Sequence, residues 1–448
     1  MKRVHLYSVM LVVFAATVGF VIYKSKDAEK EKQATLYALQ QRKGPSAQTQ
    51  EWISTKSTAS ALLEAIKRNP ADTKSSLALA SLYIQESRVT GNHIYYDMAA
   101  MKYINDVLSK DAWNFTAMVY KALIYLSQHH FSEALATANV ARQINPYNAF
   151  VYGILVDGNV ELGNYTEAVA QCDTMMSIRP DIRSYSRVSY LREIHGDYPG
   201  AVEAMKMAVE AGAPGDEGRA WARVQLARLY ENTGELKHAE MHYTIALNER
   251  PDYAYAFAGL GRIALTSKNY PKAITLYQQA DSLLSDYSFK EELAEVYAAS
   301  GQEEKASTLI ESVIKSMSAE SEQGQSDENI GHYADRELAL AYLRISNYEK
   351  ALYHALQEYN RRPENIDVNE TLAWVYYHTS DYTKALAHLK KALRTNSKNP
   401  VLLCRAGLIF DKAGEKNKAK STLQEALKNN PAISGSLKME AKEALKAL

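Results

Sequence analysis

AWARVQLARLYENTGELKHAEMHYTIALNERPDY, residues 220–253, decides the fold. Leu226, Ala227 and Tyr230 fall at helical spacing, and Gly234 interrupts the run. Ala239, Tyr243 and Ala246 then mark a second helical face, which Pro251 ends. Proline stops a helix because it lacks an N–H and disfavours helix at the residue before it. The stretch therefore reads as two amphipathic helices joined by a short turn.

The same pattern recurs along the chain. One alanine returns at Ala134, Ala168, Ala201, Ala239, Ala273, Ala306, Ala351, Ala385 and Ala419, and six of the eight intervals are 33 or 34 residues. A turn and an aromatic precede it in GNYTEA, GDYPGA, KNYPKA, SNYEKA and SDYTKA. Proline follows twelve residues later at Pro146, Pro180, Pro251, Pro363 and Pro431, and a small residue stands twelve before, as at Ala122, Ala227, Gly261 and Gly407. Small residues at one crossing point let two backbones approach, and the tyrosines of the first helix (Tyr125, Tyr230, Tyr297, Tyr342, Tyr376) fill the wedge. A single pair cannot bury its apolar face, so the units must stack.

With this period and these small, Tyr, Ala, aromatic and Pro positions, residues 51–431 resemble the tetratricopeptide repeat family, here of a membrane-anchored, bacterial kind. The resemblance implies an all-α, right-handed α-solenoid of about ten helix-turn-helix units. It also implies protein binding in a concave groove lined by the first helix of each unit. The positions that would face that groove are Phe150, Arg183, Trp221, Tyr255 and Tyr333, then Asp157, Tyr190, Arg228, Arg262, Glu295, Leu340 and Trp374. Trp221 and Tyr255 are one repeat apart, as are Arg228 and Arg262, which predicts parallel aromatic and cationic stripes. Tyr, Trp and Arg are enriched at binding hot spots, and paired arginines suit carboxylates. Packing between units, or pairing of Arg with Glu231 or Glu295, is the competing role for these side chains. The family's chaperone-tail clamp does not match, since Val119, Leu123, Gly153 and Asp157 occupy its positions.

Outside the repeats, Val4–Tyr23 is a run of twenty residues without Asp, Glu, Lys or Arg, long enough as a helix to span a hydrocarbon core. Its small residues lie inside the run, so an uncleaved transmembrane anchor is expected rather than a signal peptide. The repeats are expected on the periplasmic or extracytoplasmic side. Residues 1–3 would be a polar tail, 24–50 a charged and polar linker, and 51–113 degenerate units with an insertion around Thr90–His93. Residues 114–317 and 332–431 form the main arrays. The stretch 318–331 reads as an acidic inserted loop and 432–448 as a capping helix.

The chain balances 52 basic against 52 acidic residues, so no net field draws it to nucleic acid. Cys172 and Cys404 lie many units apart and read as small hydrophobes. His238 and His242 stand four apart with no third ligand in view, and His129-His130 sit at a turn. No Cys-x-x-Cys, phosphate loop or nucleophile elbow occurs. The expected function is therefore a non-catalytic, membrane-tethered scaffold or adaptor, with no cofactor and no metal. Its partners would be other proteins or peptides, acidic segments among them. The alternative is an extended glycan or other polymer lying along the aromatic stripe.

Overall fold

A computed structural model describes residues 14, 17–20, 23–24, 37–325, 332–428, 433 and 435–448. Among these residues there is no strand. Helix α1 (Gln50–Arg68) packs on the pair that follows it without a pairing helix of its own, and ten helical pairs follow. Unit 1 is α2 (Thr73–Thr90) with α3 (His93–Leu108), and unit 2 is α4 (Phe115–Ser127) with α5 (Phe131–Ile144). Unit 3 is α6 (Ala149–Leu162) with α7 (Tyr165–Ile178), and unit 4 is α8 (Ile182–Ile194) with α9 (Tyr198–Ala211). Unit 5 is α10 (Glu217–Asn232) with α11 (Leu236–Glu249), and unit 6 is α12 (Ala254–Thr266) with α13 (Tyr270–Leu283). Unit 7 is α14 (Tyr287–Ala299) with α15 (Glu303–Gln325), and unit 8 is α16 (Asp335–Arg344) with α17 (Tyr348–Arg361). Unit 9 is α18 (Ile366–His378) with α19 (Tyr382–Ala392), and unit 10 is α20 (Pro400–Lys412) with α21 (Lys416–Leu427). Helix α22 (Gly435–Ala447) packs on both helices of unit 10.

Local chemistry explains why the pairs form where they do. Asn or Asp caps many helices, its side chain accepting from backbone N–H groups, as at Asn114, Asn148, Asp181, Asn269, Asn365 and Asn399. The recurring alanine is fully buried in eight of its nine positions, and Ala306 nearly so. The small residue opposite is required by space. A Cβ at Gly259 would sit 2.3 Å from the Tyr243 ring, and one at Gly261 would sit 2.8 Å from Tyr277. Both cysteines are buried free thiols, and burial pushes each up to about 11.

Four expectations are corrected. No helix among the described residues is long and apolar enough to cross a membrane, which overturns the single-pass anchor and the extracytoplasmic placement built on it. Most of residues 4–23 lie outside the described residues. The supposed linker packs from residue 37 onward. The Tyr37 carbonyl accepts from the Tyr83 hydroxyl, and buried Arg42 pairs with Glu86 and with Glu51 at 2.9 Å. No insertion separates the helices of unit 1, because α2 simply runs on to Thr90 before turning at Gly91. Much of the supposed acidic loop is helix, since α15 continues to Gln325. Ala, Glu and Gln there favour helix, the one glycine, Gly324, falls next to the helix's last residue, and residues 326–331 lie outside the described residues.

The solenoid comes round on itself after six units. The turn between the helices of units 1 to 4 meets the turn that enters units 7 to 10. In unit 2, Tyr333 N–H donates to Gln128 O at 3.2 Å, and Arg362 lies 4.7 Å over the Phe131 ring. In unit 3, the Ile366 N–H donates to the Tyr165 hydroxyl at 2.8 Å and Asn365 donates to Glu161 O at 3.0 Å. Arg394 donates to Gly163 O at 2.6 Å, and Arg362 pairs with Glu161. These contacts form a seam between successive turns and enclose a lumen.

Candidate functional site: the lumen of the closed superhelix

Neighbouring first helices pack against one another, and second helices do so much less, which places the first helices on the inside of the curve. Side chains from distant units consequently face each other across the axis. Tyr190 of unit 4 keeps 40% of its surface exposed, yet burial, helped by Asp367 of unit 9 and Glu161 of unit 3, holds its hydroxyl well above its ordinary range. That combination describes a ring standing in a narrow space with protein on all sides.

The expected groove residues divide sharply. Arg262 is spent on structure. It bonds Glu231 at 3.0 Å, Glu292 at 3.0 Å and the Tyr243 hydroxyl at 2.9 Å. Asp157 is spent likewise, taking two bonds from Arg187 at 2.8 and 2.5 Å. Trp221 is half-buried against the core of units 4 and 5, and half-buried Tyr255 donates to Asp286 at 3.0 Å. Trp374 is buried under Arg405, and Tyr333 belongs to the seam rather than the groove. The cationic and aromatic stripes therefore do not exist as two continuous faces. Tyr190, Arg183 and Arg228 remain open. Arg183 lies 5.1 Å over the Phe150 ring, and Arg228 is exposed without an ion pair among the described residues.

Sequence reasoning missed the opposite wall. Asp367 of unit 9 is exposed with no side-chain bond, and Glu291 and Glu337 of units 7 and 8 make no side-chain hydrogen bond or ion pair among the described residues. Arg336 of unit 8 is held in its charged form by Asp367, Glu337, Glu370 and Glu161, against the cost of its burial. Glu193 of unit 4 is raised by burial despite a 3.1 Å bond from Asn232. Repeat register places each of these on a first helix. Only closure of the ring brings units 3 and 4 opposite units 8 and 9.

Burial, aided by Glu337, Glu292 and Asp286 and opposed by Arg344, raises Glu291 to about 7. The folded chain thus keeps that proton up to about pH 7, whereas the unfolded chain releases it near the ordinary 4.5. Stability is lost as pH rises between those values and stays reduced above them. Glu291→Gln is expected to stabilise the protein at pH 8 by on the order of 1 kcal/mol and to do nothing at pH 4, measured by urea unfolding at both pH values. Equal effects at the two pH values would contradict the shift.

His238 pairs with Glu235 at 2.8 Å, and His242 stacks on Tyr230 and is lowered to about 4 by burial. Among the described residues, no group of three or more His, Cys, Asp or Glu is placed to hold a metal ion.

Fold and lumen define a helical-repeat protein with an enclosed inner surface. Two family models, both described as tetratricopeptide repeat, match the chain, one at residues 224–288 and again at 336–400, the other at 401–433. The chain carries tetratricopeptide repeats, the matches covering a little over a third of it, and such repeats generally mediate protein–protein interaction. No curated protein matches it. Among solved structures it is similar to a tetratricopeptide repeat protein from Parabacteroides merdae, at 18% identity over 59% of this chain and 97% of that one, with a TM-score of 0.34. PilW, a type IV pilus biogenesis factor, aligns at 15% identity over 44% and 91%, with a TM-score of 0.38. The Cut9-Hcn1 structure of the APC/C aligns at 14% identity over 89% and 73%, with a TM-score of 0.39. Likeness at this level is likeness of repeat architecture and carries nothing about partners.

Proposed function

We propose that this chain is a non-catalytic protein scaffold that holds an extended segment of a partner protein inside its lumen. The observation that supports this is Tyr190, an exposed aromatic standing among uncommitted charges within a ring of first helices. An enclosed lumen suits an extended chain better than a folded domain. Partner chemistry follows from the two walls. Arg183 and Arg228 make no ion pair on units 4 and 5, and Asp367 and Glu337 make none on units 8 and 9, among the described residues. A wholly acidic segment is opposed by the second wall, so the partner segment carries both signs of charge. The glycan reading loses its support, because Trp221 and Tyr255 are packed rather than displayed.

Crosslinked affinity purification of the full chain tests this. Arg228→Glu combined with Tyr190→Ala is expected to cut recovery of lumen partners at least about tenfold, the effect of losing hot-spot contacts. Tyr353→Ala, which removes an exposed ring on a second helix, should leave recovery unchanged. The opposite pattern would move the binding surface to the convex face.

A further inference from the structure

The seam at unit 2 is built unlike the rest. Where units 1, 3 and 4 place a glycine at the turn that meets the next superhelical turn, unit 2 places His129, with φ of 62°. A residue with a Cβ in that conformation costs about 1–2 kcal/mol. His129 Nδ1 lies 2.8 Å from the Tyr333 carbonyl, and its ring is 4.3 Å from that of His332. His130 stacks on Tyr333 at 4.4 Å, and Arg361 lies over the same ring at 4.3 Å. His129 and His332 both border a cavity of about 1040 Å³, also lined by His93 and Asp97, so protons reach the contact without unfolding.

We propose that the His129–His332 contact is a proton-operated latch: neutral His332 closes the ring between units 2 and 8, and its protonation parts the two turns there and opens the lumen. Charges around it come from several elements. Unit 1 presents His93 and Asp97, the latter accepting from Ser87 at 2.9 Å and Ser127 at 2.7 Å. Unit 2 adds His130, and unit 3 adds Glu161, which is paired with Arg362. Glu291, Glu320 and Glu337 line the same cavity, and Arg336 and Arg361 approach from unit 8. At His332 burial dominates, followed by His129, His93 and His130, and together they push it down to about 3.

A histidine whose folded value is depressed stabilises the closed state above its ordinary value of 6.5, and that contribution is lost as pH falls toward the folded value. In the parted state the imidazole is hydrated and titrates near its ordinary value. Closure therefore weakens up to about tenfold per pH unit, for each proton taken up, below about pH 6.5. Admission of a partner rests on the lumen being the binding surface proposed above. The parting of the seam does not, and it is measured without any partner.

The test is amide hydrogen exchange on the full chain between pH 7.5 and 5.0, corrected for intrinsic exchange. The reporter is the Tyr333 amide, which donates across the seam, and the Ala227 amide in the core of unit 5 is the reference. Protection at Tyr333 is expected to fall toward tenfold per pH unit while Ala227 holds. His332→Phe keeps a ring without a proton and should flatten the response, whereas His332→Lys should open the seam already at pH 7.5. Should His332→Phe disturb the fold by circular dichroism, His332→Gln carries the same test, because its neutral amide takes up no proton. Constant protection in the wild type, or an unchanged slope in a folded non-titrating variant, overturns the latch.

Discussion

Arg262→Ala is expected to destabilise the protein by about 3–5 kcal/mol, far more than a groove-lining arginine would. Its guanidinium bridges Glu231 and Glu292 and accompanies the Tyr243 hydroxyl, which itself donates to Glu231 at 2.5 Å. Glu231 is 5% exposed, so removing the cation strands a buried carboxylate. Lysine in its place supplies one point charge where a fork had reached two acids, and it should recover only part of the loss. Because a repeat couples chiefly to its neighbours, hydrogen exchange should rise in units 5 to 7 before anywhere else. Urea unfolding gives the magnitude. A loss below about 1 kcal/mol would mean that the network is solvated like a surface pair.

Gly163→Ala is expected to open the seam between units 3 and 9. Gly163 has φ of +81°, and a Cβ there would meet the Glu364 carbonyl oxygen at 2.2 Å. Alanine pays about 1–2 kcal/mol for the left-handed backbone and must also push the facing turn away. The Arg394 bond to Gly163 O and the Ile366 bond to Tyr165 would part with it. Gly301→Ala separates the two contributions, because Gly301 has φ of +78° with nothing within 4 Å of its Cβ position. It should show the strain alone. Small-angle scattering should report a larger radius of gyration for Gly163→Ala and an unchanged one for Gly301→Ala. Equal radii for both would mean that the ring does not depend on this contact.

Legibility followed the range of the interaction. Ala168, Ala239 and Ala385 were readable as buried because each unit repeats one packing problem, a crossing too close for a larger side chain. Pro251 and the turn tripeptides were readable because they act on their own backbone. The end of α15 was misread because acidic and polar composition was taken for a loop, although Ala, Glu and Gln are good helix formers and Gly324 comes only next to the last residue of the helix. Arg42 was misread for a different reason. A charge in a polar stretch looks solvated until the acids that bury it, Glu86 and Glu51, arrive from α2 and α1.

The stripes failed for a related cause. Register put Arg228 and Arg262 one repeat apart, and that spacing is real, but equivalent positions do not have equivalent neighbours. Glu292 stands in reach of Arg262, while Arg228 has no such partner among the described residues.

By itself the sequence determined the unit: two helices, their small crossing residues, their caps and the number of copies. Those choices rest on contacts within a unit or between adjacent ones, which the 34-residue register records. Tertiary structure alone decided the ring, its seam and its lumen. A small rotation per unit accumulates over six units before His129 meets His332 and Gly163 meets Glu364, and no local signal in the chain records that sum.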